Sequence, residues 1–133
     1  MNIDFAFICD YAEAAAKINA LGIGFDTIYA PNLPVKHPLF FLVFQLRANV
    51  VEAGEKNLKV SFIDEDGKPV IPDINAKFTI QKPTEGVESK GRVVLNFSNV
   101  EFTKYGSYSI HATIDGHDMI NIPLRVSHPP KSA

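Results

Sequence analysis

The fold is decided by the stretch YSIHATIDGHDMINIPLRV, residues 108–126, in which apolar and polar side chains alternate on both sides of Asp115-Gly116. Alternation puts every second side chain on one face of a strand. An Asp-Gly pair tolerates the positive φ angles of a tight hairpin turn. The stretch therefore predicts two antiparallel strands joined at Asp115-Gly116. Pro123 cannot donate a hydrogen bond within a sheet, so we expect a sheet edge or a bulge there.

The same alternation recurs through most of the chain. It runs through residues 40–50, 57–63, 76–80 and 92–98, and Asp66-Gly67 marks a second hairpin turn. Strands with one apolar face are typical of antiparallel sheets that pack face to face. We therefore predict an all-β sandwich of about seven to nine strands. It forms one domain over residues 1–128, followed by a flexible tail at residues 129–133.

Three other segments carry different signals. Residues 3–11 alternate and predict an opening strand, whereas residues 31–38 and 82–91 are expected to be loops. Residues 13–21 (EAAAKINAL) have high helix propensity, with Gly22 placed as a helix C-cap. A strand pattern resumes immediately afterwards, so a β-hairpin is the alternative. The absence of any other helical pattern favours the hairpin.

Composition limits the function classes. The 133 residues carry a formal net charge of -2 and no basic block, so the attraction that drives binding to nucleic acid or to anionic membranes is missing. The single cysteine, Cys9, cannot form an intrachain disulfide. No signal peptide is recognisable, and the longest apolar run, residues 39–44, is too short to span a bilayer. We therefore expect a cytoplasmic protein that binds neither nucleic acid nor membrane.

Acidic residues near the two hairpin turns form the candidate metal site. Asp64 and Asp66 form one tip, and Asp115 and Asp118 form another. Clustered carboxylates are the ligands that Ca²⁺ prefers, so the two tips could hold one cation if they met at the same end of the sandwich. The competing interpretation, which we favour, is that Asp beside Gly serves only the turn.

The sequence gives little support for a catalytic site or a zinc site. Four histidines are present, His37, His111, His117 and His128, but no recognisable zinc-ligand spacing. The one nucleophile–base pairing would join Cys9 to His37 or His111. Cys9 lies on an apolar face, where a free cysteine usually behaves as a small hydrophobe. We therefore predict no catalytic residues and no cofactor.

The segment around residues 33–41 is the candidate interaction surface. Leu33, Val35, His37 and Phe40 would form an apolar patch if they stayed exposed, as partner surfaces do. In the alternative, which we favour, the loop covers the open end of the sandwich and belongs to the core.

The stretch FSNVEFTKYGSYSI, residues 97–110, resembles the corner between two strands of immunoglobulin-like sandwiches. In such corners a tyrosine opens the second strand and its hydroxyl bonds to backbone upstream. The resemblance gives that role to Tyr108 and puts Ile110 where secreted immunoglobulin domains have a cysteine. The Cys–Trp–Cys set of antibody domains is missing.

The chain as a whole resembles a little-studied group of bacterial proteins of unknown function. The resemblance rests on FICDYA (7–12), KINALGIGFD (17–26), YGSY (105–108) and IDG (114–116). It implies an immunoglobulin-like sandwich in which residues 17–25 are extended, and it transfers no activity.

Three function classes remain in order of preference. The first is a non-catalytic module that binds another protein, or a second copy of itself, through a sheet face or strand edge. The second is a small-ligand or metal-binding sandwich that uses the two acidic tips. An enzyme comes third.

Overall fold

The computed structural model describes residues 1–130, which form ten β-strands and one turn of 3-10 helix at Val50–Glu52. Within these residues there is no α-helix, which confirms the all-β prediction. The strands are β1 (Asn2–Cys9), β2 (Tyr11–Ala14), β3 (Ile18–Leu21), β4 (Thr27–Tyr29), β5 (Val35–Asn49), β6 (Gly54–Asp64), β7 (Ile74–Ile80), β8 (Glu88–Phe102), β9 (Gly106–Ile114) and β10 (His117–Ser127). Most of the predicted tail, residues 131–133, lies outside the described part of the chain.

The strands form two stacked sheets and a separate hairpin. The small sheet has the order β1-β5-β8, the large sheet has the order β4-β10-β9-β6-β7, and β2 pairs only with β3. Every pairing is antiparallel except that of β4 with β10. The strand count exceeds the expected seven to nine because the opening segment is divided into β1, β2 and β3.

The predicted hairpin at Asp115-Gly116 joins β9 to β10 and forms the middle of the large sheet. Ile114 lies opposite His117, and Asp115 and Gly116 have φ angles of 50° and 80°, as a type I′ turn requires. Beyond Pro123, β10 pairs with β4 only over Arg125–Ser127. Pro123 therefore lies where the outer side of β10 has no partner strand, so the predicted edge is confirmed locally.

The core lies between the two sheets and follows the predicted alternation. Fully buried side chains come from alternate positions of β5, β6 and β9: Phe40, Leu42, Phe44, Leu46, Val60, Phe62, Ile110, Ala112 and Ile114. Phe40 stacks on Phe97 with ring centroids 4.8 Å apart, and Phe62 contacts Tyr108 edge to face. Aromatic pairs in these arrangements add to the stabilisation that burial supplies.

Residues 13–21 form the β2–β3 hairpin, which confirms the extended interpretation. The hairpin lies on the outer face of the small sheet, where it covers a second apolar cluster. Cys9, Ala12 and Val43 are buried in that cluster, and Ile18 and Ala20 pack against it. Tertiary burial of one hairpin face therefore overrides the helix propensity of the alanine run.

Two strands extend into segments predicted as loops. β5 begins at Val35, because residues 35–37 pair with residues 100–102 of β8. β8 begins at Glu88 opposite Asn49 and so takes up the end of the predicted loop 82–91. Val50, predicted to share the inner face of β5, instead lies in the 3-10 turn and is exposed. In the described part of the chain, no helix has the length and apolar character needed to cross a membrane.

Candidate interaction surface

An apolar groove runs along the outer face of the small sheet between β1 and β3. Its lining consists of Phe5 and Phe7 from β1, Ile18, Asn19 and Ala20 from β3, and Ile23 just beyond β3, and its volume is about 410 Å³. We call this feature the β1–β3 groove. The rings of Phe5 and Phe7 stack with centroids 5.8 Å apart. Phe5 is 37% exposed and Ile23 is 59% exposed, so the groove presents aromatic and aliphatic surface to solvent.

Three hydrogen bonds hold the β2–β3 hairpin in place beside β1. The backbone N–H of Asp10 donates to the carbonyl of Leu21 at 3.0 Å, and the N–H of Gly24 donates to the carbonyl of Ile8 at 2.9 Å. At the hairpin turn, Arg92 Nη1 donates to the carbonyl of Ala16 at 3.1 Å. The wall of the groove is therefore attached to the sheet at both of its ends.

A polar network borders the groove on the same face of the sheet. Gln45 Nε2 donates to Asp4 Oδ2 at 2.6 Å, and Arg47 Nε donates to Asp4 Oδ1 at 2.7 Å. Arg92 Nε in turn donates to Gln45 Oε1 at 2.8 Å. The hydrogen bond from Gln45, followed by the guanidinium of Arg47, holds the pKa of Asp4 below its ordinary value. The negative charge of Asp4 is thus compensated within the chain.

One edge of β1 is open along part of its length. The carbonyl of Ile8 accepts its hydrogen bond from Gly24, so the backbone groups of Ile8 point away from β5. The backbone groups of alternate residues point to the same side of a strand. The register between β1 and β5 is regular from Phe5 to Cys9, so the N–H and carbonyl of Ala6 also point to the open edge. β1 can accept a further strand there.

The surface predicted from sequence lies elsewhere and points largely inward. Phe40, named as part of the candidate surface, is completely buried and packs in the main core, as the favoured alternative expected. Leu33 and Val35 are half-buried against the same core, and the His37 ring lies 5.7 Å from the Phe40 ring. The segment closes the sandwich, because pairing with β8 turns alternate side chains into the core.

The two acidic tips lie at opposite ends of the large sheet. Asp64 ends β6 opposite Tyr108, whereas Asp115 donates its backbone N–H to Asn57, near the start of β6. Seven residues of extended strand separate these points, a distance of roughly 23 Å. The condition on which the shared calcium site depended is therefore not met. Asp118, at the second tip, is exposed.

The carboxylates at both tips already have partners within the chain. Asp64 Oδ1 accepts from the backbone N–H groups of Asp66 and Lys68 at 2.9 and 3.0 Å. Lys104 Nζ lies 2.9 Å from Asp66 Oδ2 and 3.1 Å from Asp64 Oδ2, and the hydrogen bonds that it donates to these two carboxylates raise the pKa of Lys104. Asp115 Oδ1 accepts from the N–H of Asn57 at 2.8 Å. These contacts are those of turn residues.

The cysteine and the histidines are not brought together. Cys9 is fully buried beneath the hairpin, where its thiol donates to the carbonyl of Tyr11 at 3.5 Å. Burial, reinforced by the charge of Asp10, raises the pKa of the thiol, which disfavours the thiolate that a nucleophile needs. His111 contacts Ser109 Oγ at 2.8 Å. Within residues 1–130 no three His, Cys, Asp or Glu side chains are grouped as metal ligands.

Residues 5–9 carried a sequence signal for the groove, which the interpretation of residues 3–11 as an alternating strand overlooked. Residues 5–9, FAFIC, are apolar at every position, which indicates a strand with apolar side chains on both faces. Ile8 faces the main core, whereas Phe7 and Cys9 face the second cluster. The hairpin covers only part of that outer face, and the uncovered part is the groove.

Comparison with known proteins identifies a family and includes a distant structural likeness. No curated protein matches the sequence. Among solved structures, the chain is similar to Pseudomonas fluorescens alkylpurine DNA glycosylase AlkC bound to DNA containing an abasic site analog, with 10% identity and a TM-score of 0.46. The alignment covers 76% of this chain and 27% of that one, so this chain spans about a quarter of the glycosylase. The model of a family described as "Family of unknown function (DUF6941)" matches residues 4–127, and the chain belongs to that family.

Proposed function

We propose that this protein is a non-catalytic interaction module that binds another protein chain at the β1–β3 groove. The observation that supports the proposal is the combination of exposed Phe5 and Ile23 with the open edge of β1. An open edge supplies main-chain hydrogen bonds to an added strand, and apolar pockets beside it supply specificity. Monomeric proteins rarely expose a contiguous apolar patch that has no role in binding.

The outer face of the large sheet supports the choice of the groove face. The outer side of the large sheet carries Lys59, Ser61, His111 and Thr113 along a shallow depression, which is the composition of an ordinary solvated face. The burial of Cys9 and the separation of the acidic tips favour binding over catalysis or metal chemistry. The immunoglobulin-like assignment is part of the same proposal, and it is supported by the hydrogen bond that the Tyr108 hydroxyl donates to the Lys104 carbonyl.

The proposal also includes a bacterial cytoplasmic setting and a protein partner. A single free cysteine fits a reducing compartment. The net charge of -2 does not favour a polyanionic partner such as nucleic acid. The compensated charge of Asp4 leaves the groove without a free charge of its own, so its partner should present an apolar strand or loop.

The test compares proteins retained by three immobilised forms of the chain from an extract of its source cells. The forms are the wild type, Ile23→Lys in the groove, and Asn75→Lys at an exposed position of β7, which serves as the matched control. We expect the wild type and Asn75→Lys to retain the same set of proteins, and Ile23→Lys to lose at least one of them. Identical retention by all three forms would show that the groove is not a binding surface.

A further inference from the structure

We propose that the occupant of the groove edge is a second copy of this chain, which pairs with it antiparallel through β1. This inference rests on the proposed function and specifies its partner. Its geometrical basis is that Ala6 directs its N–H and carbonyl to the open edge of β1. Because Gly24 already occupies the edge at Ile8, two such strands related by a two-fold axis at Ala6 would pair over residues 5–7. The interface would be isologous, so that the same residues meet from both sides.

The side chains of β1 suit pairing with themselves. With the axis at Ala6, Phe5 of each copy lies opposite Phe7 of the other. Phe5 and Phe7 direct their backbone groups toward β5, so they would form the non-hydrogen-bonded pairs, in which cross-strand side chains are closest. Aromatic pairs at such positions stabilise a sheet. Four phenylalanine rings would then share one outer face.

Charge also favours self-pairing at this edge over the others. Two identical strands repel each other if they carry an uncompensated charge, but Asp4 is paired with Gln45 and Arg47 inside its own chain. The other edges of the two stacked sheets have protection of the kind that prevents edge pairing. β7 is flanked by Pro72 and Pro83, β8 carries Glu88, Lys90 and Glu101, β4 has three residues, and the open part of β10 contains Pro123.

The exposed apolar area of the groove is that of a weak, concentration-dependent dimer. Among the residues that line the groove, Phe5 is 37% exposed and Ile23 is 59% exposed. A fully exposed side chain of this size offers on the order of 200 Å², so the two together present roughly 200 Å². The backbone of β1 and the half-buried Phe7 and Ile18 add to this area. The interface therefore falls below the standard size and in the range of weak or transient associations.

The experiment measures the mass of the full chain by light scattering and sedimentation equilibrium over a range of concentrations. The wild type is expected to change from a 14.7 kDa monomer to a species of twice that mass. Ala6→Pro removes the N–H that the register directs to the open edge of β1, and Phe5→Lys adds a charge to the apolar edge. Each should raise the dissociation constant at least about tenfold, whereas Asn75→Lys should leave it unchanged.

Thermal unfolding of each variant separates loss of pairing from loss of folding. If Ala6→Pro destabilises the fold, the dissociation constant of Phe5→Lys decides the question, because the Phe5 side chain already lies partly in solvent. A wild type that stays monomeric, or variants that still dimerise like the wild type, would overturn the second-copy proposal. A monomer that still retains another protein through Ile23 would leave the proposed function standing and remove only its self-pairing form.

Discussion

The hydroxyl of Tyr108 donates a hydrogen bond to the carbonyl of Lys104 at 2.6 Å, four residues upstream in the corner between β8 and β9. The ring itself is buried against Phe102 and Phe62. This bond is what the resemblance to immunoglobulin-like corners assigned to Tyr108. The bond connects the corner that follows β8, in the small sheet, to β9, in the large sheet. Its loss should therefore lower the stability of the whole sandwich.

We therefore predict that Tyr108→Phe lowers the free energy of unfolding by about 1–1.5 kcal/mol, because the Lys104 carbonyl loses its donor while the ring stays in place. For a chain of this length, the melting temperature should fall by roughly 3–6 °C. Tyr29→Phe is the matched control, since Tyr29 is 56% exposed, and it should melt like the wild type. Equal melting of both variants would show that the corner bond adds no stability.

Calcium should not stabilise the protein. The carboxylates at each acidic tip already have partners. Asp64 accepts from backbone N–H groups and pairs with Lys104, whereas Asp115 accepts from the backbone N–H of Asn57. The two tips also lie at opposite ends of β6. A cation that bound only the folded state would raise the melting temperature. We expect no rise at about 1 mM CaCl₂, a concentration that saturates most protein calcium sites. A rise that Asp64→Ala abolished would restore the ligand-binding hypothesis.

Acidification should weaken the fold through His37. Burial lowers the pKa of His37 below its ordinary value of 6.5, and the charge of Asp10 opposes this with a smaller effect. The folded state therefore favours the neutral ring, which packs near Phe25 and Phe40. Stability from this site is complete above the unfolded pKa of about 6.5 and is lost as the pH falls below it, with a slope of at most about 1.4 kcal/mol per pH unit for one proton.

Urea unfolding at pH 7.5 and pH 5 tests this dependence. We expect His37→Leu, which keeps an apolar side chain against both phenylalanines, to reduce the loss of stability between the two pH values. His117→Gln, on the exposed hairpin turn, should leave the loss as large as in the wild type. The role of His37 would be refuted by a His37→Leu profile that parallels the wild type.

Alternation predicted the strands well because it reports directly on burial between two sheets. The alternate apolar positions of residues 57–63 form the inner face of β6, because the strand has one apolar face. Asp115-Gly116 forms the hairpin turn, because the turn depends on local backbone geometry. The propensity of residues 13–21 pointed to helix, but the hairpin buries Ala12 and packs Ile18 against the second cluster. Local propensity cannot report a contact made with a distant strand such as β5.

The candidate site was harder to predict, because exposure of a side chain depends on what lies above it. Phe40 and Phe5 are the same residue type within alternating segments, yet Phe40 is buried and Phe5 is partly exposed. The difference arises because Phe40 points into the core between the two sheets, whereas Phe5 lies on the outer face of the small sheet, which the β2–β3 hairpin covers only in part. What covers an outer face is set by long-range contacts, which a single sequence does not reveal.

The turn after β3 should be the most sensitive point in the groove wall. Gly22 has a φ angle of 68°, and a Cβ atom at this position would collide with the carboxylate of Asp10. Gly22→Ala should therefore combine the cost of the left-handed conformation, about 1–2 kcal/mol, with a steric cost of about 1 kcal/mol or more. Gly24→Ala is the matched control, because its φ is 80° but its surroundings are open.

Urea unfolding of the two glycine variants, alone and with Asp10→Ala, separates strain from collision. We expect Gly24→Ala to lose only the conformational part and to respond little to Asp10→Ala. Gly22→Ala should lose more and should regain its steric part when the Asp10 carboxylate is removed. If the two glycine variants lost the same free energy, the position of Asp10 against Gly22 would not constrain the hairpin. The wall of the β1–β3 groove would then depend on the hydrogen bonds donated by the backbone N–H groups of Asp10 and Gly24 and by the Arg92 side chain.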